Sequence, residues 1–402
     1  MRDEMKKVPR LRFRGFSEDW ELCKLGRIFD VHTDFVSNGS FQSLKNNVRF
    51  YNDENYAYMI RLQDASNNWR GPWLYTDKHG FDFLKKSTVY ENDILMSDRG
   101  TIGKFFLVPK LDRPMTLSSN AVLLRSSNCN NNFIYYMLNT IDIGNQIKKR
   151  TTPGVQPMIS KTEFKKIITK LPVREEQKKI GDFLKKIDET FTLHQRKSDQ
   201  LKELKKAYLQ LMFPTKEERV PKLRFADFEG EWELCKLNGI LDIIKGTQKS
   251  KSELSTNQNN CTPYPVYNGG INPSGYTNIY NRENAITISE GGNSAGFVNF
   301  VQEKFFSGGH NYTIVNNVTD TLFLFFYLCS IQEEIMRLRV GTGLPNIQKP
   351  TLMNLEIQKT TDNEQKSIGL FLKNIDILIS LTQNKLNQLK SLKKSYLQNM
   401  FI

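Results

Sequence analysis

Two stretches of the chain, 175–213 and 363–401, carry apolar residues at helical intervals. Those of the first stretch are Ile180, Phe183, Leu184, Ile187, Phe191, Leu201, Leu204, Tyr208 and Leu211. Those of the second are Ile368, Phe371, Leu372, Ile375, Ile379, Leu389, Leu392 and Tyr396. Because no Pro or Gly follows Gly181 in the first stretch, the pattern predicts a long amphipathic helix in each, roughly 55 Å long. Packing the two helices on each other as a coiled coil would bury both apolar stripes.

The remaining sequence has a different pattern. Short segments rich in Val, Ile, Phe and Tyr alternate there with Gly, Asn, Ser and Pro, which predicts strands joined by turns. Helical segments are expected near 131–149 and 321–339. The apolar run LFLFFYLC at 322–329 is far shorter than the roughly 20 residues of a membrane span, so we expect it to be a buried strand or helix.

The chain contains an internal duplication. VPRLRFRGFSEDWELCKL at 8–25 returns as VPKLRFADFEGEWELCKL at 220–237, identical at 12 of 18 positions. The two helical stretches share 24 of 39 positions without a gap. The offset falls from 212 at the front of the repeat to 188 at its back, so the first copy carries 24 extra residues in its middle. Two related frames therefore hold two different inserts, and they predict approximate two-fold symmetry.

The inserts share only a few anchors. ENDILMSDRGTIGKFFLV at 91–108 is similar to RENAITISEGGNSAGFVNFV at 282–301, which predicts a strand, a glycine turn and a second strand. TTPGVQPMIS at 151–160 corresponds to GTGLPNIQ at 341–348. The apolar helix tails AYLQLMF and SYLQNMF either cap the coiled coil or dock another subunit, and the sequence favours neither.

The net charge is strongly positive. The 57 Lys and Arg against 43 Asp and Glu give +14, which indicates an anionic partner such as nucleic acid. The first residues, MRDEMKKVPRLRF, lack the apolar stretch of a signal peptide, so we expect a cytoplasmic protein. The five cysteines and four histidines are scattered without metal-site spacing, and we expect no metal site and reduced thiols.

The sequence lacks the common signatures of nucleic-acid enzymes. It has no phosphate-binding G-x-x-x-x-G-K-[ST] loop and no [ND]-P-P-[FY] tetrapeptide of amino-methyltransferases. No acidic pair followed by E-x-K, the common nuclease pattern, is present either. The carboxylates Asp93, Asp98 and Glu290 lie beside glycine turns, but no partner in the sequence indicates a catalytic role for any of them. We therefore expect no catalytic residue and no metal ligand in this chain.

Candidate DNA contacts lie in polar loops beside aromatic residues. Arg and Lys suit guanine edges and phosphates, and Asn and Gln suit adenine edges. In the first insert the candidates are Lys45, Asn47, Arg49, Arg61, Gln63, Asn68, Arg70, Arg99 and Asn120. In the second insert they are Lys245, Gln248, Lys249, Lys251, Asn268, Asn293, His310 and Asn311. Polar loops of any soluble protein look much the same, so for each residue a solvated loop position is the alternative.

The whole chain resembles the specificity (S) subunit of type I restriction–modification systems. The resemblance rests on the P-x-L-R-F … W-E-x-x-K-L openings, the E-Q-x-x-I-G-x-F-L-x-x-I-D helices, the D-I-L … G-T-I-G-K segment at 93–104 and YPVYNGG at 264–270. The second insert departs from this pattern, since Ala285-Ile-Thr-Ile replaces Asp93-Ile-Leu-Met.

The resemblance implies an α+β fold in which two target-recognition domains of mixed α/β structure are joined by two long helices packed as an antiparallel coiled coil. The implied divisions are target-recognition domain 1 at 1–171, spacer helix 1 at 172–214, target-recognition domain 2 at 215–360 and spacer helix 2 at 361–402. Each domain would read one half of an asymmetric, bipartite site in double-stranded DNA, and the helices would set the separation of the halves.

The resemblance also implies partners. Two modification subunits would bind S-adenosylmethionine and methylate adenine, and restriction subunits would use ATP and Mg to translocate and cleave DNA. This chain would bind no cofactor and would be non-catalytic. Two alternatives remain: a self-sufficient DNA methyltransferase or nuclease, and a coiled-coil adaptor that does not bind DNA.

Overall fold

The computed structural model describes residues 8–118, 121–341 and 343–402, which divide into two compact units. The first unit takes the chain up to His194 together with Lys385–Ile402, and the second is Gln195–Asn384. Both long helices therefore contribute one segment to each unit.

The first unit is a mixed α/β structure. Its strands are β1 (Glu21–Lys24), β2 (Val31–Asp34), β3 (Ala57–Ile60), β4 (Tyr75–Thr76), β5 (Thr88–Val89), β6 (Ile94–Met96), β7 (Phe105–Leu107), β8 (Met115–Leu117), β9 (Val122–Arg125) and β10 (Ile168–Leu171). Its helices are α1 (Leu25–Ile28), α2 (Phe41–Asn47), α3 (Leu62–Ser66), α4 (Lys78–Phe83), α5 (Asn131–Leu138), α6 (Ile141–Arg150), α7 (Lys161–Lys165) and the first part of α8 (Arg174–Leu211).

The second unit repeats this plan with fewer helices in its insert. Its strands are β11 (Glu233–Lys236), β12 (Asp242–Lys245), β13 (Tyr264–Tyr267), β14 (Gly275–Thr277), β15 (Arg282–Ser289), β16 (Val298–Ser307), β17 (Asn311–Val315) and β18 (Glu356–Lys359). Its helices are α9 (Thr321–Ser330), α10 (Gln332–Arg337), α11 (Lys349–Met353) and the first part of α12 (Asp362–Asn399). The helices expected near 131–149 and 321–339 are confirmed, each broken once. The apolar run at 322–329 is the buried helix α9.

The insert sheets differ in continuity. The second unit has one six-stranded sheet in the order β12-β17-β15-β16-β13-β14, with β13 and β16 parallel. The first unit has two four-stranded sheets, β2-β9-β6-β7 and β4-β3-β8-β5. Here β7 and β8 together correspond to β16, but Pro109 and Pro114 lie between them and cannot donate to a strand ladder. The prolines explain why a continuous strand in one unit is divided in the other.

Each insert is closed where its two ends meet. Strand β1 pairs antiparallel with β10, and β11 pairs with β18 in the same way, so the opening segment joins the strand that precedes the long helix. In each unit an ion pair also connects the opening segment to the start of the long helix. Arg12 binds both carboxylate oxygens of Glu176 at 2.7 and 2.8 Å, and Arg224 binds Glu364 twice at 2.7 Å. Both glutamates are fully buried.

The long helices are confirmed, and within each unit their segments run antiparallel. In the first unit the rings of Phe183 and Tyr396 lie 4.9 Å apart, and one turn further on Asp188 pairs with Lys393 at 2.6 Å. In the second unit the equivalent residues of the repeat make the same two contacts, but α8 now supplies the Tyr and Lys and α12 the Phe and Asp. These contacts are Tyr208 with Phe371 at 4.9 Å between ring centres, and Lys205 with Asp376 at 2.7 Å.

The apolar helix tails end inside the units. Phe401 packs against the buried Trp20 of the first unit, with ring centres 6.4 Å apart. Phe213 packs against the buried Trp232 of the second unit at 6.2 Å. Both tails thus pack into the core of a unit against its opening segment, which is neither of the two roles expected from the sequence, capping of the coiled coil or docking of another subunit. Within the described ranges, no helix combines the length and apolar character of a membrane span.

Candidate nucleic-acid interface

In both units a glycine turn is hydrogen-bonded to the loop that precedes the last strand, β10 or β18. The turn of the first unit follows β6 and that of the second follows β15. The supporting loops are 151–159 in the first unit and, among the described residues, 340–341 and 343–347 in the second. The matching backbone hydrogen bonds are Gly100 N to Pro157 O (3.0 Å), Gly292 N to Pro345 O (2.9 Å), Ile159 N to Asp98 O (3.0 Å) and Ile347 N to Glu290 O (2.8 Å). The similarity of 91–108 to 282–301, and that of 151–160 to 341–348, thus reflects one shared loop pair.

Strand register identifies further equivalent positions around the turn. Lys245 lies opposite Tyr312, which lies opposite Ile288. In the first unit Asp34 lies opposite Val122, which lies opposite Met96. Because Ile288 and Met96 hold the same place in their repeats, Lys245 corresponds to Asp34. The same backbone position is therefore cationic in one unit and anionic in the other.

A cleft of about 590 Å³ opens beside the turn of the second unit. It brings together three candidate contacts from distant parts of the sequence: Lys245, Asn268 and His310. The remaining lining residues are Gly269, Gly270, Ser274, Glu290, Gly291, Gly292, Leu344, Pro345 and Asn346. Gly269 has φ +82°, and a side chain there would meet the His310 carbonyl oxygen at 3.0 Å. Glycine thus permits the close approach of the loops.

Glu290 anchors the charged groups of this cleft. Its Oε1 accepts from Lys245 Nζ at 2.5 Å and from the Tyr312 hydroxyl at 3.1 Å, and its Oε2 lies 3.7 Å from His310 Nδ1. Burial and the adjacent Glu290 carboxylate raise the pKa of Tyr312 to about 12. The phenol therefore stays protonated and donates. Lys245 and His310 remain more than half exposed, so they can still meet a ligand.

The other candidates of the second insert lie at varied depths. Gln248, Lys251 and Asn293 are exposed, and Lys249 is half-buried with its ammonium 5.2 Å from the centre of the Phe306 ring. Asn311 is buried at 2 % exposure and donates to Ser307 Oγ at 3.1 Å. Its side chain is engaged inside the sheet.

The candidates of the first insert lie on three elements. Lys45 and Arg49 are exposed, on and just after α2, while Asn47 donates to Ser43 O at 2.8 Å and its Oδ1 lies 3.2 Å from His79 Nε2. Arg99 is exposed on the glycine turn, 3.7 Å from Asp98.

The third element is the connection after β3, formed by α3 and the loop that follows it, which carries Arg61, Gln63, Asn68 and Arg70. Gln63 is exposed with its amide against the Arg61 guanidinium. Asn120 lies outside the described residues.

Sequence reasoning did not anticipate Glu290 or Tyr312 as parts of the cleft. The signal for Glu290 is that a carboxylate also stands at the matching repeat position, Asp98, within two residues of the end of the strand. Tyr312 is buried and joins the cleft only through strand pairing, so no sequence signal points to it. In the part of the chain that the structure covers, no three His, Cys, Asp or Glu side chains gather closely enough to hold a metal ion.

Comparison with known proteins agrees with this architecture. The family model for the type I restriction modification DNA specificity domain matches residues 17–203 and again 229–391. The type I restriction enzyme MjaVIII specificity subunit of Methanocaldococcus jannaschii is 26% identical, over 94% of this chain and 91% of that protein.

Two solved structures share the fold. The crystal structure of a type I restriction–modification S subunit from M. genitalium covers 98% of this chain and 99% of its own, with a TM-score of 0.68 at 15% identity. A structure described for complex assembly and conformational transition of a type I system covers 97% and 99%, with a TM-score of 0.52 at 16% identity. The chain belongs to the type I restriction–modification DNA specificity family. DNA sequence specificity is the function of this family.

Proposed function

We propose that each unit of this chain reads one half of a bipartite, asymmetric DNA site, within target-recognition domains at 1–171 and 215–360. The observation that carries the proposal is the shared loop pair with different side chains. The same backbone frame presents Asp34 and Arg99 in one unit, and Lys245 and Gly291 in the other. Since base edges are read by side chains, two similar frames with unlike side chains would read two unlike half-sites.

The long helices set the gap between the half-sites. Each is a continuous helix of 38 residues, and the antiparallel contacts fix its register within each unit. The spacer segments are then 172–214 and 361–402. Lengthening both helices by one turn would add about 5.4 Å and change the gap, while the bases read in each half would stay the same.

The chain acts without catalysis of its own. Two modification subunits supply S-adenosylmethionine and adenine methylation, and restriction subunits supply ATP- and Mg-dependent cleavage. Support comes from the resemblance of the whole chain to specificity subunits and from the absence of methyltransferase and nucleotide-binding motifs in the sequence. The described loops carry cationic and amide side chains suited to DNA, and the net charge of +14 favours binding to phosphates.

Exchange of one insert tests the proposal. Residues 26–160 are replaced by the corresponding insert of another family member, and methylated sites are mapped for the complex with its modification subunits. We expect one half-site to change and the other to persist with the same gap. A change in both halves, or in neither, would contradict the proposal. Methylation by the purified chain alone would contradict its non-catalytic part.

A further inference from the structure

The connection between β3 and β4, here called the β3–β4 loop, includes the short helix α3. It runs from Arg61 to Leu74 with the sequence RLQDASNNWRGPWL. Its counterpart in the second unit joins β13 to β14 through 268–274 and is half as long. Both follow the strand that pairs in parallel inside its sheet, so they leave the two units at equivalent places. The longer loop is thus a feature of the first unit.

Side-chain hydrogen bonds brace the base of this loop. The Arg61 guanidinium binds Asp64 through Nη2 at 2.6 Å and Nε at 3.1 Å, and the same Nη2 donates to Pro72 O at 2.7 Å. Asp64 is buried, and its Oδ2 also accepts from the Arg61 backbone N–H at 2.8 Å. Asn67 Nδ2 donates to Gly71 O at 2.5 Å. Arg61 therefore ties the start of the loop to its end.

The backbone between these ties adopts conformations that few residues tolerate. Asn68 and Trp69 have φ +53° and +59°, and Gly71 has φ +70°. A positive φ is uncommon for a residue as bulky as Trp and persists only where the surroundings impose it. Here the Trp69 N–H donates to Asp64 O at 2.9 Å, and the indoles of Trp69 and Trp73 pack on the insert core. The loop tip is thereby held in one shape.

Two polar side chains at the tip are left unused. Asn68 and Arg70 are exposed, and within the described residues neither side chain has a hydrogen-bond or ion-pair partner. The flanking indoles of Trp69 and Trp73 are partly buried against the insert core, which leaves Asn68 and Arg70 exposed with free side chains at the tip. Arg is suited to bind guanine O6 and N7 together, and Asn to bind adenine N6 and N7. Holding such groups in place before binding lowers the ordering cost of recognition.

We propose that this tip reads base edges in the half-site of the first unit, with Arg70 contacting guanine and Asn68 contacting an adjacent base. Arg61 is a positioning residue that fixes the tip through Asp64 and Pro72 and does not itself touch DNA. The inference rests on the proposed function, since it assigns part of one half-site to named side chains. Arg61 and Arg70 thus have different roles, although their residue type alone would suggest the same DNA contact for both.

The test uses the complex of the full chain with the modification subunits of its host. Methylated adenines are mapped by sequencing for the unaltered chain and for Arg70→Ala, Arg61→Lys and Arg27→Ala. Arg27 is an exposed arginine of the same unit on α1, outside the loop, and serves as the matched control. We expect Arg70→Ala to lose discrimination at one guanine of one half-site, by about 5- to 150-fold, with the other half-site unchanged.

Arg61→Lys should weaken discrimination at that same base pair, because a lysine cannot hold Asp64 in a two-pronged pair. Discrimination in the second half-site should not change, whereas a general structural defect of the chain would weaken both half-sites. Arg27→Ala should leave the pattern intact.

A uniform loss of methylation across all sequences, with a reduced salt dependence of binding, would make Arg70 a phosphate contact and overturn the inference. That result would leave the proposed function standing. The absence of any bipartite methylation with the unaltered chain would instead contradict the proposed function itself.

Discussion

Removal of Arg12 tests how the first unit is closed. In Arg12→Met, Glu176 loses the cation that binds both of its carboxylate oxygens, while the carboxylate stays fully buried. A buried charge left without its partner costs about 3–5 kcal/mol, a large part of the roughly 5–15 kcal/mol that stabilises a domain. We expect the first unit to open locally at the joint of β1 and α8.

Hydrogen exchange measured peptide by peptide can resolve this opening. A cost of about 3–5 kcal/mol corresponds to exchange roughly 10²- to 5 × 10³-fold faster around 174–184. The repeat supplies an internal control, because Arg224 and Glu364 form the same pair in the second unit and remain unaltered. Peptides of 362–372 should keep their protection. In Arg224→Met the two regions should exchange roles.

The double substitution Arg12→Met/Glu176→Met separates the buried charge from the packing. It removes both charges and fills the site with apolar atoms, so most of the lost protection should return. Two results would refute the reasoning: a single Arg12→Met that changes exchange less than tenfold, or a double variant no better protected than the single one. Either result would mean that water reaches Glu176 or that the ion pair does not hold the joint.

Three further predictions concern acid stability, the helix tails and salt. Burial, with help from nearby Lys161 and Lys165, lowers the pKa of His32 to about 4. Between pH 6.5 and 4 the unfolded chain therefore takes up a proton that the folded chain does not, which lowers the stability by about 3 kcal/mol by pH 4. In His32→Phe the stability should fall less steeply with decreasing pH, and an unchanged slope would contradict this. Phe401→Ala should lower the stability of the first unit by about 3–5 kcal/mol, and Phe213→Ala that of the second, each measured as faster local hydrogen exchange. Faster exchange in the opposite unit would contradict the assignment. DNA affinity, measured by fluorescence anisotropy, should fall linearly on a log–log plot against salt, and salt-independent binding would exclude phosphate contacts.

The frame could be predicted from sequence because its signals are periodic and repeated. Residues such as Ile180 and Leu184 mark a helical stripe, and the second copy repeats that stripe at a constant offset. The tails at Phe213 and Phe401 could not be assigned, since an apolar helix end looks the same whether it meets its own unit or another protein. Their burial against Trp232 and Trp20 depends on distant chain segments.

For the candidate interface, only a set of polar loops could be predicted from the sequence, and not how they come together. Strand pairing brings Lys245, Asn268 and His310 to one cleft, and periodicity contains no information on such pairing. Composition likewise cannot separate a free side chain from an engaged one. Asn311 and Asn68 are both amides close to glycines in the sequence, yet the structure buries the first in strand β17 and exposes the second.

The central claim, that this chain directs modification to a two-part DNA sequence, can be tested in the host genome. Modified adenines are mapped by sequencing in a strain that carries this gene beside its methyltransferase partner, and in a strain that lacks this gene alone. We expect a methylated motif of two unlike halves around a fixed gap, which disappears with the gene. A motif that persists without the gene, or a methylated sequence with no gap, would contradict it.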